Sequence, residues 1–120
     1  MKLTEAEWRV MDVLWEQKES SLGEIVEALR SKKNWNRNTV LTYLTRMEKK
    51  GLVTIKREQE PHRYAPLISR DTCLKAEREL LIKKVERGSV GDLIAAFLKE
   101  NKITSEEKKR LSQLLDDMEV

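Results

Sequence analysis

The sequence predicts a mainly α-helical fold, with three helices before a short β-hairpin and three more after it. Helix-capping signals recur before stretches whose apolar residues return every three or four positions. Between residues 52 and 58 the apolar period changes from about 3.6 to about 2 residues, as in a half-buried strand. A length of 120 residues allows one domain, or two small units sharing one fold.

The first two helices each begin at a capping box, in which Thr or Ser is followed three residues later by Glu. The first box starts at Thr4, and the apolar residues after it predict a helix to about Glu16. The second box starts at Ser21, and the same spacing predicts a helix to about Lys32. Each helix therefore has one apolar face that can enter a shared core.

The third predicted helix has two chemically distinct faces. Asn36 or Asn38 can cap it, it continues to Lys50, and Gly51 ends it. One face is apolar, whereas the other carries hydroxyls, an amide and cations without an acid. Most solvent-facing helix surfaces mix both charge signs, so this polar face favours contact with bases and phosphates. Its residues are Asn38, Thr39, Thr42, Thr45, Arg46 and Lys49.

A two-stranded hairpin is predicted after Gly51. Residues 52–58 alternate between apolar and polar, residues 59–61 contain a proline turn, and residues 62–65 return as a short strand that Pro66 ends. Three helices followed by such a hairpin are typical of a winged helix-turn-helix. In that fold the third helix enters the major groove of DNA and the hairpin contacts the backbone.

The rest of the chain predicts three short amphipathic helices without a core of their own. Ser69 can cap the first, which is expected to run to about Arg87 before Gly88 breaks it. Ser89 and Thr104 can cap the other two. Helices of this size are marginally stable alone, so they either fold back on the first half or pair with a second chain.

We favour pairing, because a protein that recognises DNA gains affinity and two-fold symmetry from a dimer. We therefore divide the chain into a DNA-binding domain over residues 1–68 and a dimerisation domain over residues 69–120. Any single apolar residue of the second part can equally belong to an intramolecular core. The residues expected in the dimer interface are Leu74, Leu81, Val85, Leu93, Ile94, Phe97, Leu98, Leu111, Leu114, Leu115 and Met118.

The net charge of +3 conceals a strong segregation of charge along the chain. Residues 30–63 contain ten basic and three acidic residues, whereas residues 1–29 contain three basic and seven acidic ones. The basic block coincides with the third helix and the hairpin, which indicates a surface for a polyanion. The alternative is a lysine-rich face that is merely solvated.

Composition excludes several other classes of protein. One cysteine and one histidine cannot form most zinc or copper sites, and they indicate a reducing compartment. The longest apolar run, Leu93–Leu98, is far too short to span a membrane, and Met1–Glu5 lacks the apolar region of a signal peptide. Without a catalytic or phosphate-binding motif, we expect neither an enzyme nor a bound metal or cofactor.

Together these residues resemble the BlaI/MecI/CopY penicillinase-repressor family over essentially the whole chain. The resemblance implies a cytoplasmic bacterial repressor that binds a palindromic operator on double-stranded DNA as a homodimer, pairing through its C-terminal helices. In members connected with antibiotic resistance, a membrane sensor signals and a protease cuts this C-terminal region. The residues that carry the resemblance are Trp8, Val10–Met11, Leu14–Trp15, Glu24–Val26, Asn38–Val40, Thr42, Thr45–Arg46, Lys49–Leu52 and Tyr64.

The resemblance also assigns roles to individual positions. It implies base contacts by Thr39, Thr42 and Arg46. It implies DNA-backbone contacts by Asn38, Thr45, Lys49, Lys50, Lys56, Arg57 and Arg63. Leu41 departs from the family, whose beta-lactam-sensing members have a basic residue there. An aliphatic side chain can contact a thymine methyl group but cannot donate a hydrogen bond to guanine.

Two further features of the family concern the C-terminal region. The cleavage bond of the beta-lactam-sensing members corresponds to Ala96–Phe97, although the helical register of Phe97 also favours a plain interface residue. Copper-responsive members have a cysteine-rich C-terminus, which residues 114–120 lack, so a cysteine metal sensor is not expected.

Three functional classes follow from the sequence. The first and favoured one is a dimeric DNA-binding repressor. The second is a winged-helix module that binds proteins and not DNA, but its third helix should then be more apolar. The third is a small enzyme or redox-sensing thiol protein, which would depend on Cys73 alone. A small buried residue is the simpler interpretation of that cysteine.

Overall fold

The computed structural model describes residues 2–85 and 89–118 and confirms the predicted mainly helical fold class. Its helices are α1 (Glu5–Gln17), α2 (Leu22–Leu29), α3 (Arg37–Lys49), α4 (Arg70–Lys84), α5 (Val90–Glu100) and α6 (Ser105–Asp117). Its strands are β1 (Ser20–Ser21), β2 (Val53–Lys56) and β3 (Arg63–Pro66). The chain forms two compact units, residues 1–79 and residues 80–120. Our division into functional domains at residues 68 and 69 stays a prediction.

Side-chain caps fix the starts of the helices in the first unit. The capping boxes of α1 and α2 are both present, as expected from Thr4 and Ser21. Asn36 is the residue that caps α3, because its Oδ1 accepts a hydrogen bond from the Thr39 amide at 2.9 Å. The helix ends are less accurately predicted. In particular, α2 stops at Leu29, because the next residues form a hydrogen-bonded turn onto its carbonyl oxygen.

The sheet has one strand more than predicted. It is antiparallel, with the order β1-β3-β2, and Ser20 and Ile55 lie on either side of Tyr64. The third strand could not be predicted, because two consecutive serines show no apolar alternation. The second strand of the hairpin ends at Pro66, as expected, and Pro66 is itself its last residue and is paired with Val53. We call the β2–β3 hairpin, residues 53–66, the wing.

The first unit has a continuous apolar core that holds α3 and the wing in place. Every helix of the unit contributes to it, and Cys73 adds the inner side of α4. The Trp15 indole also donates a hydrogen bond to the carbonyl oxygen of Ile68 at 2.9 Å. The buried apolar residues are Leu3, Val10, Met11, Leu14, Ile25, Leu29, Val40, Leu44, Met47, Leu52, Val53, Tyr64 and Cys73.

The second unit has well-formed helices and no buried side chain among its described residues. Ser89 and Thr104 cap α5 and α6 as predicted. The predicted end of the preceding helix at about Arg87, and its break at Gly88, fall outside the described residues. No helix in the described part of the chain is long and apolar enough to cross a membrane.

Candidate nucleic-acid interface

Helix α3 presents to solvent the polar face that its sequence predicts. Val40, Leu44 and Met47 are fully buried, and they fix the rotation of the helix against the core. The opposite side is open to solvent except at Thr39, which is half-buried. The exposed residues of this polar face are Asn38, Thr42, Thr45, Arg46 and Lys49.

Two threonines on this face have a defined hydroxyl orientation. The Oγ1 atoms of Thr42 and Thr45 donate hydrogen bonds to the carbonyl oxygens of Asn38 and Leu41, both at 2.9 Å. Because each hydroxyl proton is used within the helix, the oxygen can only accept a further hydrogen bond. Amino groups of adenine and cytosine are donors of this kind in the major groove, and a thymine methyl group can contact the threonine methyl.

The two cationic side chains on the polar face of α3 are exposed to solvent. Neither Arg46 nor Lys49 forms an ion pair within residues 2–85 and 89–118. Both side chains can therefore contact an external anion without first breaking an internal bond. Their placement on a rigid, packed helix suits a surface that must fit a regular polyanion.

Arg37, at the start of α3, is a further candidate that the sequence pattern did not indicate. Its guanidinium lies beside Gly23, where Nη1 is 3.5 Å from the position that a Cβ atom would occupy. With Leu41 and His62 it lines a groove of about 560 Å³ between α2, α3 and the turn of the wing. Arg37 falls outside the polar face on a helical wheel, so only the packing of α2 against α3 reveals it.

Leu41 occupies an unusual position for an aliphatic residue. It is 39% exposed, whereas the other aliphatic residues of α3 are buried. It lies at the edge of the polar face and lines the groove with Arg37. The structure therefore places an apolar contact surface beside the hydroxyls of Thr42 and Thr45.

The cations outside α3 that the resemblance assigned to the DNA backbone are all held by carboxylates. The Lys56 ammonium is 2.8 Å from Glu19, and Arg63 bonds Glu19 at 3.3 Å and Glu24 at 2.9 Å. These carboxylates hold the wing part of the basic block over residues 30–63, and its use as a surface for a polyanion stays a prediction. Acidic residues distant in the sequence fold against the wing and neutralise it.

The two remaining cations each form two hydrogen bonds to one carboxylate. Arg57 donates two hydrogen bonds to Glu48, at 2.7 and 2.9 Å, and these bonds hold the pKa of the Glu48 carboxyl below its usual range. Lys50 donates to both oxygens of buried Glu7, at 2.8 and 2.9 Å. Burial alone would raise the pKa of Glu7, but the hydrogen bonds from Lys50 and Thr4 keep it lowered.

The residues expected in a dimer interface lie on α4, α5 and α6, except Val85 and Met118, which directly follow α4 and α6. Most are exposed within the single chain, including Phe97 at 56% and Leu114 at 59%. Ala96 and Phe97 both lie inside α5, and both are exposed. The exposed members of the expected interface are Leu81, Ile94, Phe97, Leu98, Leu114, Leu115 and Met118. The half-buried members are Leu74, Val85, Leu93 and Leu111.

Cys73 is part of the core and not of any reactive site. It is 1% exposed, and burial raises the pKa of its thiol, which disfavours the reactive thiolate. Across residues 2–85 and 89–118, no three His, Cys, Asp or Glu side chains gather in a way that could hold a metal ion.

Comparison with known proteins decides the family. The model of the penicillinase repressor family matches residues 3–117. This chain belongs to the penicillinase repressor family. The family consists of transcriptional repressors, which are not enzymes.

Individual relatives are distant in sequence but match almost end to end. The methicillin resistance regulatory protein MecI of Staphylococcus aureus strain N315 is 27% identical, over 96% of this chain and 94% of its own length. The penicillinase repressor of Bacillus licheniformis is 24% identical, over 97% of this chain and 91% of its own. Among solved structures, monomeric B. licheniformis BlaI in complex with the blaP half-operator matches with a TM-score of 0.52 and 28% identity. That match covers 59% of this chain and 87% of the BlaI chain.

Proposed function

We propose that this chain is a homodimeric repressor in the cytoplasm that binds a palindromic operator on double-stranded DNA. The observation that carries the proposal is the exposed, acid-free polar face of α3, which buried residues on the opposite side hold in one orientation. The solved structure of BlaI with its half-operator supports the same use of this fold. Val40, Leu44 and Met47 pack α3 against the core, so its polar face points outward as in a helix that enters the major groove.

Within this proposal the residues of α3 and the wing have separate roles. Thr39, Thr42 and Arg46 contact bases, because hydroxyls and a guanidinium can discriminate between base edges in the major groove. Phosphate contacts then fix the register of the protein on the duplex without recognising its sequence. These backbone contacts are made by Asn38, Thr45, Lys49, Lys50, Lys56, Arg57 and Arg63.

We propose that the second unit supplies the dimer interface. Its helices α5 and α6 are well capped, yet none of their side chains is buried in the single chain. Apolar helix faces that remain exposed are typical of protein interfaces, and a second copy of the same chain offers a matching apolar surface. Two copies would then present two α3 helices to the two halves of a palindrome.

We also propose that proteolysis between Ala96 and Phe97 relieves repression, after a membrane sensor detects an antibiotic or cell-envelope signal. The bond lies in the middle of α5, and its cleavage would separate Phe97, Leu98 and all of α6 from the rest of the interface. A helix without buried residues opens locally at low cost, as a protease requires. A chain that stays intact while the signal releases it from DNA would contradict this mechanism.

The direct test of DNA binding uses fluorescence anisotropy with a duplex from the promoter of its own gene. Affinity should fall steeply as salt rises, because cations of the protein displace counterions from several phosphates. A duplex of unrelated sequence serves as the control and should bind more weakly at every salt concentration. Absence of binding even at low salt would overturn the repressor function and favour a protein-interaction module.

A further inference from the structure

The cations of the candidate interface fall into two groups. Those on the exposed face of α3, Arg46 and Lys49, have no carboxylate partner within the described residues. Those on the wing are each held by at least one carboxylate within 3.3 Å. The paired cations of the wing are Lys56, Arg57 and Arg63.

The carboxylates come from three places that converge on the wing. Glu19 lies just before β1 and contacts both Lys56 and Arg63. Glu24, in the first turn of α2, contacts Arg63 as well. Glu48 lies in the last turn of α3 and forms the two-bond pair with Arg57. All three carboxyls have a lowered pKa, so they are ionised near neutral pH.

We propose that Glu19, Glu24 and Glu48 limit non-specific binding by masking the wing cations from DNA phosphates. This inference rests on the proposed DNA-binding function. A phosphate can engage a wing cation only by displacing or sharing the carboxylate that already holds it. The displaced carboxylate then remains near the phosphate and repels it. Each wing contact therefore contributes less affinity than an open cation would.

This cost has different consequences for the two kinds of DNA. Non-specific binding depends almost wholly on phosphate contacts, so masking leaves little affinity for DNA of unrelated sequence. Specific binding also has the base contacts of α3, where Arg46 and Lys49 have no carboxylate partner among the described residues. The carboxylates thus lower the affinity for all DNA by a similar factor, and only a sequence whose bases α3 contacts stays bound.

The Glu48–Arg57 pair gives the sharpest test, because a matched control lies one residue from the arginine. Glu48→Gln removes the partner of Arg57 and one negative charge. Glu58→Gln removes the same charge from the exposed turn of the wing, where Glu58 has no ion pair among the described residues. Circular dichroism and thermal melting of each variant verify that the fold is retained.

Binding is measured over a range of salt with two duplexes, one of alternating dA and dT and one selected from a random library by the wild-type protein. For the alternating duplex, we expect Glu48→Gln to raise affinity several-fold more than Glu58→Gln. We also expect the logarithmic salt slope to steepen by about 0.9, the value for one additional neutralised phosphate. The selected duplex should gain by a similar factor, because the same phosphate contact is released in both complexes. Glu19→Gln, which frees Lys56 but leaves Arg63 held by Glu24, should steepen the slope by a similar amount.

The comparison of Glu48→Gln with Glu58→Gln separates masking from the general field of the protein, because both changes remove one negative charge and only Glu48 holds a wing cation. Equal gains for Glu48→Gln and Glu58→Gln would overturn the inference, because only net charge would then matter. Weaker binding by Glu48→Gln would also overturn it, since Glu48 would then position Arg57 for DNA. Failure of the wild-type protein to bind either duplex at low salt would instead refute the DNA-binding function.

Discussion

The two compact units are built from similar helices, yet they differ in what covers their apolar faces. In the first unit, α1, α2 and α3 bury residues such as Leu14, Ile25 and Leu44 completely. In the second unit, α5 and α6 are capped equally well but leave Ile94 and Leu114 exposed. Capping and amphipathic spacing therefore account for the helices of both units. Only the first unit finds its apolar partner within the single chain, which is why we assign the second unit to dimer formation.

The largest effect is expected where the second unit meets its partner. Leu93→Asp combined with Phe97→Asp places two charges on the proposed interface, and should weaken dimerisation by at least about 4 kcal/mol. Sedimentation equilibrium should then show monomers at concentrations where the wild-type chain is a dimer. Leu67→Asp is a suitable control, because it alters an exposed leucine of the first unit. If the double variant is still a dimer, the interface lies elsewhere in the chain.

A core substitution in the first unit should have a smaller, purely intramolecular effect. Leu44→Ala removes a fully buried side chain and should lower the free energy of unfolding by about 2–5 kcal/mol at every protein concentration. Leu114→Ala is the matched change in the second unit. Its cost should depend on protein concentration, because the proposed dimer would cover Leu114. Chemical denaturation at two protein concentrations measures the loss in free energy of unfolding for both variants. A loss for Leu114→Ala that does not depend on protein concentration would contradict the assignment of Leu114 to a dimer interface.

Within the first unit, two neighbouring cations of α3 should differ in the kind of loss they cause. Arg46→Ala should weaken binding to a selected duplex by about 1–3 kcal/mol, with a smaller loss on random DNA, because the proposed role of Arg46 is to contact bases. Lys49→Ala should weaken both to a similar extent, since phosphates are present in every sequence. Equal losses on the two duplexes for both variants would contradict the role of Arg46.

The smallest effect concerns the ion pair between α1 and the end of α3. The pKa of Glu7 is lowered in the folded chain, so its ionised form stabilises the fold above the pKa of the unfolded state. That stability is present at neutral pH and is lost as the pH falls through the folded-state pKa. Denaturation of wild type and Glu7→Gln should therefore differ at pH 7 and converge in acid. A difference that stays constant over this range would exclude the carboxylate as its source.

The sequence predicts those parts of the structure that depend on neighbouring residues. The caps at Thr4, Asn36 and Thr104, and the buried face of α3, follow from spacings of three and four positions. Strand β1 does not, because its pairing with β3 joins Ser20 to Tyr64 and depends on tertiary structure. The family and its fold were predictable from the combination of motifs, which the match over residues 3–117 confirms.

The distribution of charge shows more clearly that contacts between residues distant in the sequence are not predictable from it. Along the chain, the acidic residues 1–29 and the basic residues 30–63 are separate, and this separation predicts a basic surface for a polyanion. In the folded unit, Glu7 meets Lys50 and Glu19 meets Arg63, across more than forty residues in each case. Arg46 and Lys49 of α3, by contrast, have no carboxylate partner among the described residues. A count of charges along the sequence cannot distinguish the two groups.

In vitro selection from a random DNA library tests the central claim most directly, because it requires both base recognition and two-fold symmetry. For a homodimeric repressor we expect an inverted repeat whose half-sites are about one helical turn apart, or a multiple of that distance, and two protein chains bound per duplex. The Leu93→Asp and Phe97→Asp double variant should enrich at most a half-site. Absence of sequence enrichment would contradict sequence-specific binding. Enrichment of a single unrepeated site that binds one wild-type chain would contradict binding as a dimer.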